Sequence, residues 1–306
     1  QARSLFDEIR TMTDLGTGTR QQALMAHARV LLTDSDYAAA EHIADALDAM
    51  QRSLPATDVA RIETTILRAE IDLQQRRAGQ VISTLERLLD DWPAGSDQAQ
   101  LRADVLCLLA EAQADEQHYD LALPLLRRAL IDYQATHASA TTLNSTRHEI
   151  ARSLGAMNQF DEALPAFQAV LAEHTRILGA DHPLSLSTKG EIADLLKRMH
   201  RFEEASALFK DVIDSKRRTL GANHDDLAVA LFNYGSLLYV RDEFASALPY
   251  FEEAAKIWAA NFGDDGVLLP TGGVVQLTSG NDRSTSEVIE VDYASLLTDI
   301  QVSDRL

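Results

Sequence analysis

Five short stretches of this 306-residue chain contain residue types that could do chemistry. "HEIAR" (148–152) opens like the helix of a zinc hydrolase, where two histidines one turn apart hold the metal and the glutamate acts as base. Here Arg152 occupies the place of the second histidine, so the ligand set is incomplete. His182 and His224 lie in "LGADHP" (178–183) and "LGANHD" (220–225), each alone in its segment. A metal site needs three or four converging ligands, so these histidines are expected to cap helices. "LGTGTR" (15–20) has two glycines but no following Lys-Ser/Thr and no preceding strand pattern, which makes it a turn rather than a phosphate loop. Cys107, in "DVLCLLAEA", sits among apolar neighbours and reads as an inert buried thiol. No trio of acid, base and nucleophile stands out. We expect no catalytic residue, no metal and no cofactor, and a free-standing enzyme is not the reading we carry forward.

Composition narrows the partners. The balance of 28 basic and 47 acidic residues leaves a net charge of −19, which repels phosphate backbones and anionic lipid. A neutral or basic protein surface is a better match than nucleic acid or membrane. With one cysteine, no internal disulfide can form, and no apolar run is long enough to span a bilayer, so a cytoplasmic setting is expected. Arginine outnumbers lysine by 23 to 5, a weak sign of a GC-rich bacterial source. The chain begins at Gln1 rather than Met, and we read it as a segment of a longer protein.

The elements that would position any site come from a repeat. "EIARSLGAMNQFDEALPAFQAVL" (149–171) falls on "EIADLLKRMHRFEEASALFKDVI" (191–213) and on "NYGSLLYVRDEFASALPYFEEAA" (233–255) at a constant offset. "LLAEAQADEQHYDLALPLLRRAL" (108–130) fits one step earlier, with weaker copies around 28–47 and 69–88. Units are drawn near 21–58, 59–99, 100–141, 142–183, 184–225 and 226–263. Each holds two helix-periodic stretches around a polar turn and an aromatic (Tyr37, Tyr119, Phe160, Phe202, Phe244), with Ala78 in the second unit. Small residues recur in the first helix (Ala28, Ala69, Ala110, Ala151, Ala193, Gly235) and in the second (Ala40, Ala122, Ala163, Ala205, Ala247), where backbones must approach. Val81 breaks the second set, so hairpin two should pack more loosely. Gly179 and Gly221 can close a helix in the left-handed region, and Pro183 cannot continue one. Pro124, Pro165 and Pro249 are expected near helix starts, where a missing N–H costs little.

Small, aromatic and small at this spacing resembles the tetratricopeptide repeat, and the unit ending in "LGADHP" is similar to the forty-two-residue variant of kinesin light chains. The resemblance spans about 21–263. It implies an all-α fold, a right-handed superhelix of about six helix hairpins whose first helices line a concave groove. In that family the groove is lined from residues flanking the conserved small position, which carries over here to His148 and Arg152, to Glu191, Asp194 and Lys197, and to Asn233 and Ser236. Asn233 is the foremost of these, because a carboxamide offers both donor and acceptor to a peptide backbone. Glu149 and Glu191 stand at its equivalent places, which departs from a ladder of asparagines.

The function this implies is that of a protein-interaction scaffold or adaptor holding a partner peptide segment, neutral or basic, in the groove. The alternative is a regulatory or sensor repeat region of a larger bacterial signalling enzyme, such as a serine/threonine kinase or a protease-like effector. Self-association through a terminal repeat stays open. Residues 1–20 read as a lead-in helix or turn. Residues 264–306 lose the helical period and hold two strand-like segments, "GVVQL" and "EVIEV", which suggest a β-hairpin cap, a docked tail or the start of another domain.

Overall fold

A computed structural model describes residues 16–92 and 98–261, and among these every regular element is an α-helix. The expected tail at 264–306, and most of the lead-in, lie outside the described residues. In chain order the helices are α1 Thr17–Thr33, α2 Tyr37–Gln51, α3 Val59–Gln74, α4 Ala78–Asp90, α5 Ala99–Asp115, α6 Tyr119–Ala135, α7 Ala140–Ala156, α8 Phe160–Leu178, α9 Pro183–Arg198, α10 Phe202–Leu220, α11 Asp225–Val240 and α12 Phe244–Asn261. They pair as hairpins, α1 with α2 and so on to α11 with α12. The chain divides into two compact units, Gln1–His174 and Thr175–Leu306, the division falling within α8.

Each hairpin turns in the same way. Ser35, Arg76, Gln117, Asn158, His200 and Asp242 are left-handed, with φ between 57° and 62°, at the register of the repeat. In each, the next residue's amide donates to the carbonyl five residues back, as Asp36 does to Leu31 and Glu243 to Leu238, both at 2.9 Å. This is the six-to-one bond that closes a helix and satisfies an orphan carbonyl. The aromatic of the sequence pattern, or Ala78, is then the first residue of the second helix.

The turns between hairpins vary: His137, between α6 and α7, repeats the same closure (φ 54°), with the Ala138 amide donating to the Tyr133 carbonyl at 2.9 Å. Gly179 and Gly221 are left-handed (φ 98° and 87°), as the stop segments require. His182 Nδ1 then accepts from the Leu184 amide (3.2 Å) and His224 Nδ1 from the Asp226 amide (3.1 Å), each filling the N-cap of the following helix. Ser185, fully buried, ties the first of these turns by donating to the Gly179 carbonyl at 2.7 Å. Pro124, Pro165 and Pro249 depart from expectation. Each is the sixth residue of its helix, beyond the four amides that lack partners anyway, so the carbonyls of Asp120, Asp161 and Ala245 lose their usual intrahelical donor. All three residues are exposed, and water can replace it.

Packing follows the small residues. All eleven small seam positions are buried. At Gly235 an added Cβ would lie 2.8 Å from the Phe251 ring. On α10, Ala205, Phe209, Val212 and Ile213 form a buried stripe of helical period. α11, between α10 and α12, buries nine of its sixteen residues. In hairpin two, Val81 is buried, and α3 touches α4 more sparsely than the helices of hairpins one, three, five and six touch each other. Within each unit the first helices of successive hairpins also meet, α1 with α3 and α3 with α5 in one, α9 with α11 in the other. This is the stacking of an α-solenoid.

Candidate functional site

In the first unit the candidate residues lie on α7. The His148 ring packs edge-on against Phe167 (5.7 Å, 78°) and lies 6.3 Å from buried His174. His148 Nδ1 is 3.3 Å from Glu149 Oε1, and Arg152 Nη1 donates to Glu149 Oε2 at 3.0 Å. Burial pushes the Glu149 carboxyl up, but the hydrogen bonds and charges of His148 and Arg152 outweigh it and hold the group below its ordinary range. The two candidate residues of α7 are thus already engaged by a carboxylate on the same helix.

In the second unit the candidates lie on α9 and α11, which pack against each other. Glu191 is half-buried. Lys197 Nζ meets Asp194 Oδ1 at 2.6 Å, and only 11% of the lysine side chain is exposed, so its charge is balanced within one turn. Lys189 reaches across to Asp211 on α10, also at 2.6 Å. Ser236 is buried. Asn233 is half-buried, and among the described residues its carboxamide has no hydrogen-bond partner. Beside it Phe232 packs on Phe251 (5.2 Å) and Trp258 (6.1 Å), while Tyr234 beneath makes an edge contact with Tyr250 (4.8 Å) and has Lys210 Nζ 5.6 Å from its ring centre. The contribution of Phe232 was missed from sequence because its aromatic ring replaces His148 and Gly190 of the preceding repeats, and no periodicity marks it.

The other chemical candidates are structural. Burial raises the Cys107 thiol to about 11, so it stays protonated and unreactive near neutrality. Where a turn was expected at "LGTGTR", Gly16 is instead the N-cap of α1 and residues 17–20 are already its first helical turn. Among the described residues no group of three or more His, Cys, Asp or Glu is placed to hold a metal, and no helix is long and apolar enough to cross a membrane.

A family model described as tetratricopeptide repeat matches residues 139–218 and 186–260. No curated protein matches the chain significantly. Solved structures do. BtubC (BKLC) from P. vanneervenii is similar over 84% of this chain and 98% of its own, at 16% identity and a TM-score of 0.59. NprR in complex with its cognate peptide NprX aligns over 84% of this chain and 73% of its own, at 15% identity and 0.60. A Podosopora anserina protein of "nearly identical TPR-like repeats", named for the kinesin light chain, aligns over 66% and 96%, at 19% identity and 0.56. At these identities the likeness is one of fold.

Proposed function

Since this chain carries tetratricopeptide repeats across residues 139–260, we propose that it is a protein-interaction scaffold whose first helices hold a partner peptide segment, with Asn233 as the central contact. The observation that carries this reading is the unpartnered Asn233 carboxamide on a well-packed helix. A half-buried amide without a partner has hydrogen-bonding capacity to offer, and an extended peptide has backbone N–H and C=O groups to take it. Glu191, Asp194, Lys197 and Ser236 flank it on the same two helices of the second unit. His148 and Arg152 are proposed as contacts of the first unit. The likeness to NprR, a protein solved with a peptide, supports a peptide as the kind of partner.

The net charge of −19 favours a neutral or basic segment. We place the protein in a cytoplasmic, bacterial setting and give it no catalytic role. Affinity purification with the parent chain and with Asn233→Ala tests the proposal. A partner retained by the parent and lost from the variant, at an unchanged melting temperature, supports it; equal retention by both contradicts it.

A further inference from the structure

We propose that the outer face of α12 docks a segment of this same chain, residues 292–302, which lies along it as an amphipathic helix and caps the repeats. An earlier second helix shows what that face does when it is covered. On α10, Ser206 and Phe209 are buried, and the following helix α11 meets both through Tyr234, whose hydroxyl is 3.3 Å from the Ser206 hydroxyl and whose ring centre is 6.4 Å from that of Phe209. Leu123 and Leu126 hold the same two positions on α6, and both are buried. The equivalents on α12 are Leu248 and Phe251. Leu248 is 56% exposed against 8% for Ser206, and Phe251 is only half-buried. Phe244, 52% exposed, and the exposed Ala255 continue the stripe at the spacing of one helix face. α12 is the last helix among the described residues, so this stripe is the open end of a stack, the place where repeat arrays need a capping element.

The sequence that follows supplies the occupant. A seventh copy of the repeat would set its first helix near 267–282, but Pro270, Gly272, Gly273 and Gly280 stand there and disfavour one. Helical period returns at 292–302. Asp292 is a residue type that starts helices, and Tyr293, Leu296, Leu297 and Ile300 recur at i, i+3, i+4 and i+7. A tether of the thirty residues 262–291 has a mean reach of about 30 Å. That matches α12, whose eighteen residues are ~27 Å long. The area argues against a second copy as the occupant. The partly exposed side chains of the stripe offer roughly 300 Å², well below the about 800 Å² per partner that a stable free interface buries. A tethered segment needs less, because its effective concentration is in the millimolar range.

Hydrogen–deuterium exchange on the full chain, read by mass spectrometry at two protein concentrations with the solution mass measured in parallel, tests the proposal. Amides of 293–302 are expected to exchange at least about tenfold more slowly than in a free peptide of the same sequence, equally at both concentrations and in a monomer. Leu248→Asp and Leu297→Asp, one on each side of the contact, should each return them to the free-peptide rate. The amides of α11 should keep their protection in both variants, which shows that the last hairpin still folds. Exchange at the free-peptide rate in the parent, or protection that survives Leu248→Asp, overturns the proposal. So does protection that disappears on dilution together with a dimer, which assigns the face to a second copy.

Discussion

Glu149 on α7 and Asn233 on α11 hold the same position in the repeat, two residues before the small seam residue, yet their chemical states are opposite. Glu149 is gripped by His148 and Arg152 and kept ionised by them. Asn233 has no partner among the described residues. The backbone presents both alike, so what separates them is whether the helix satisfies its own polar group. A ligand at α7 must displace internal hydrogen bonds, and one at α11 displaces only water.

The sharpest way to break this contrast is to disturb the seam that positions one of its members. Ala151, two residues past Glu149, is fully buried. Ala151→Leu should cost about 3 kcal/mol by overpacking, seen as a lower melting temperature and a loss of the α7 cluster. A variant as stable as the parent would show that the seam does not set the position.

Next in size is Asn233→Ala, expected to weaken a bound peptide about tenfold, near 1.4 kcal/mol, with no loss of thermal stability. The comparison predicts the reverse balance for Glu149→Gln: stability falls by about 0.5–1 kcal/mol and binding changes little. The pH dependence sharpens it. Because the folded-state pKa of Glu149 is depressed, its contribution is complete above the ordinary carboxylate range and fades as pH falls through the folded value. Denaturant titrations should show parent and Glu149→Gln differing at neutral pH and converging in strong acid. A constant gap down to low pH would contradict the assigned cause.

The smallest effect concerns what the two units share. Gln117 in one and Asp242 in the other are left-handed turn residues, with φ of 62° and 60°. Gln117→Gly and Asp242→Gly should each stabilise by about 0.5 kcal/mol, relief of the left-handed strain being partly offset by the freedom glycine has when unfolded. Unequal shifts in denaturation midpoint would separate turns that look alike.

Much of the fold was legible because its packing needs recur. The small residues at 28, 69, 110, 151, 193 and 235 are buried in every hairpin, and at Gly235 the Phe251 ring leaves no room for a Cβ, so they repeat in any sequence that builds this seam. His182 and His224 were readable as caps because each stood alone. The hairpin turns were less visible: Ser35, Arg76, Gln117, Asn158, His200 and Asp242 adopt one conformation with six different side chains, since the strain is met by backbone hydrogen bonds rather than by glycine. The site was legible only as positions. That Lys197 would be spent on Asp194, Arg152 on Glu149, and Asn233 on nothing depends on side-chain geometry that spacing does not encode.

The most direct test of the central claim is the NMR signal of the Asn233 side-chain amide during titration with a bound peptide. The account predicts that its two N–H resonances shift downfield and saturate together with the peptide's own signals, as expected for new hydrogen bonds to a backbone. A peptide that binds while those resonances stay in place would contradict it.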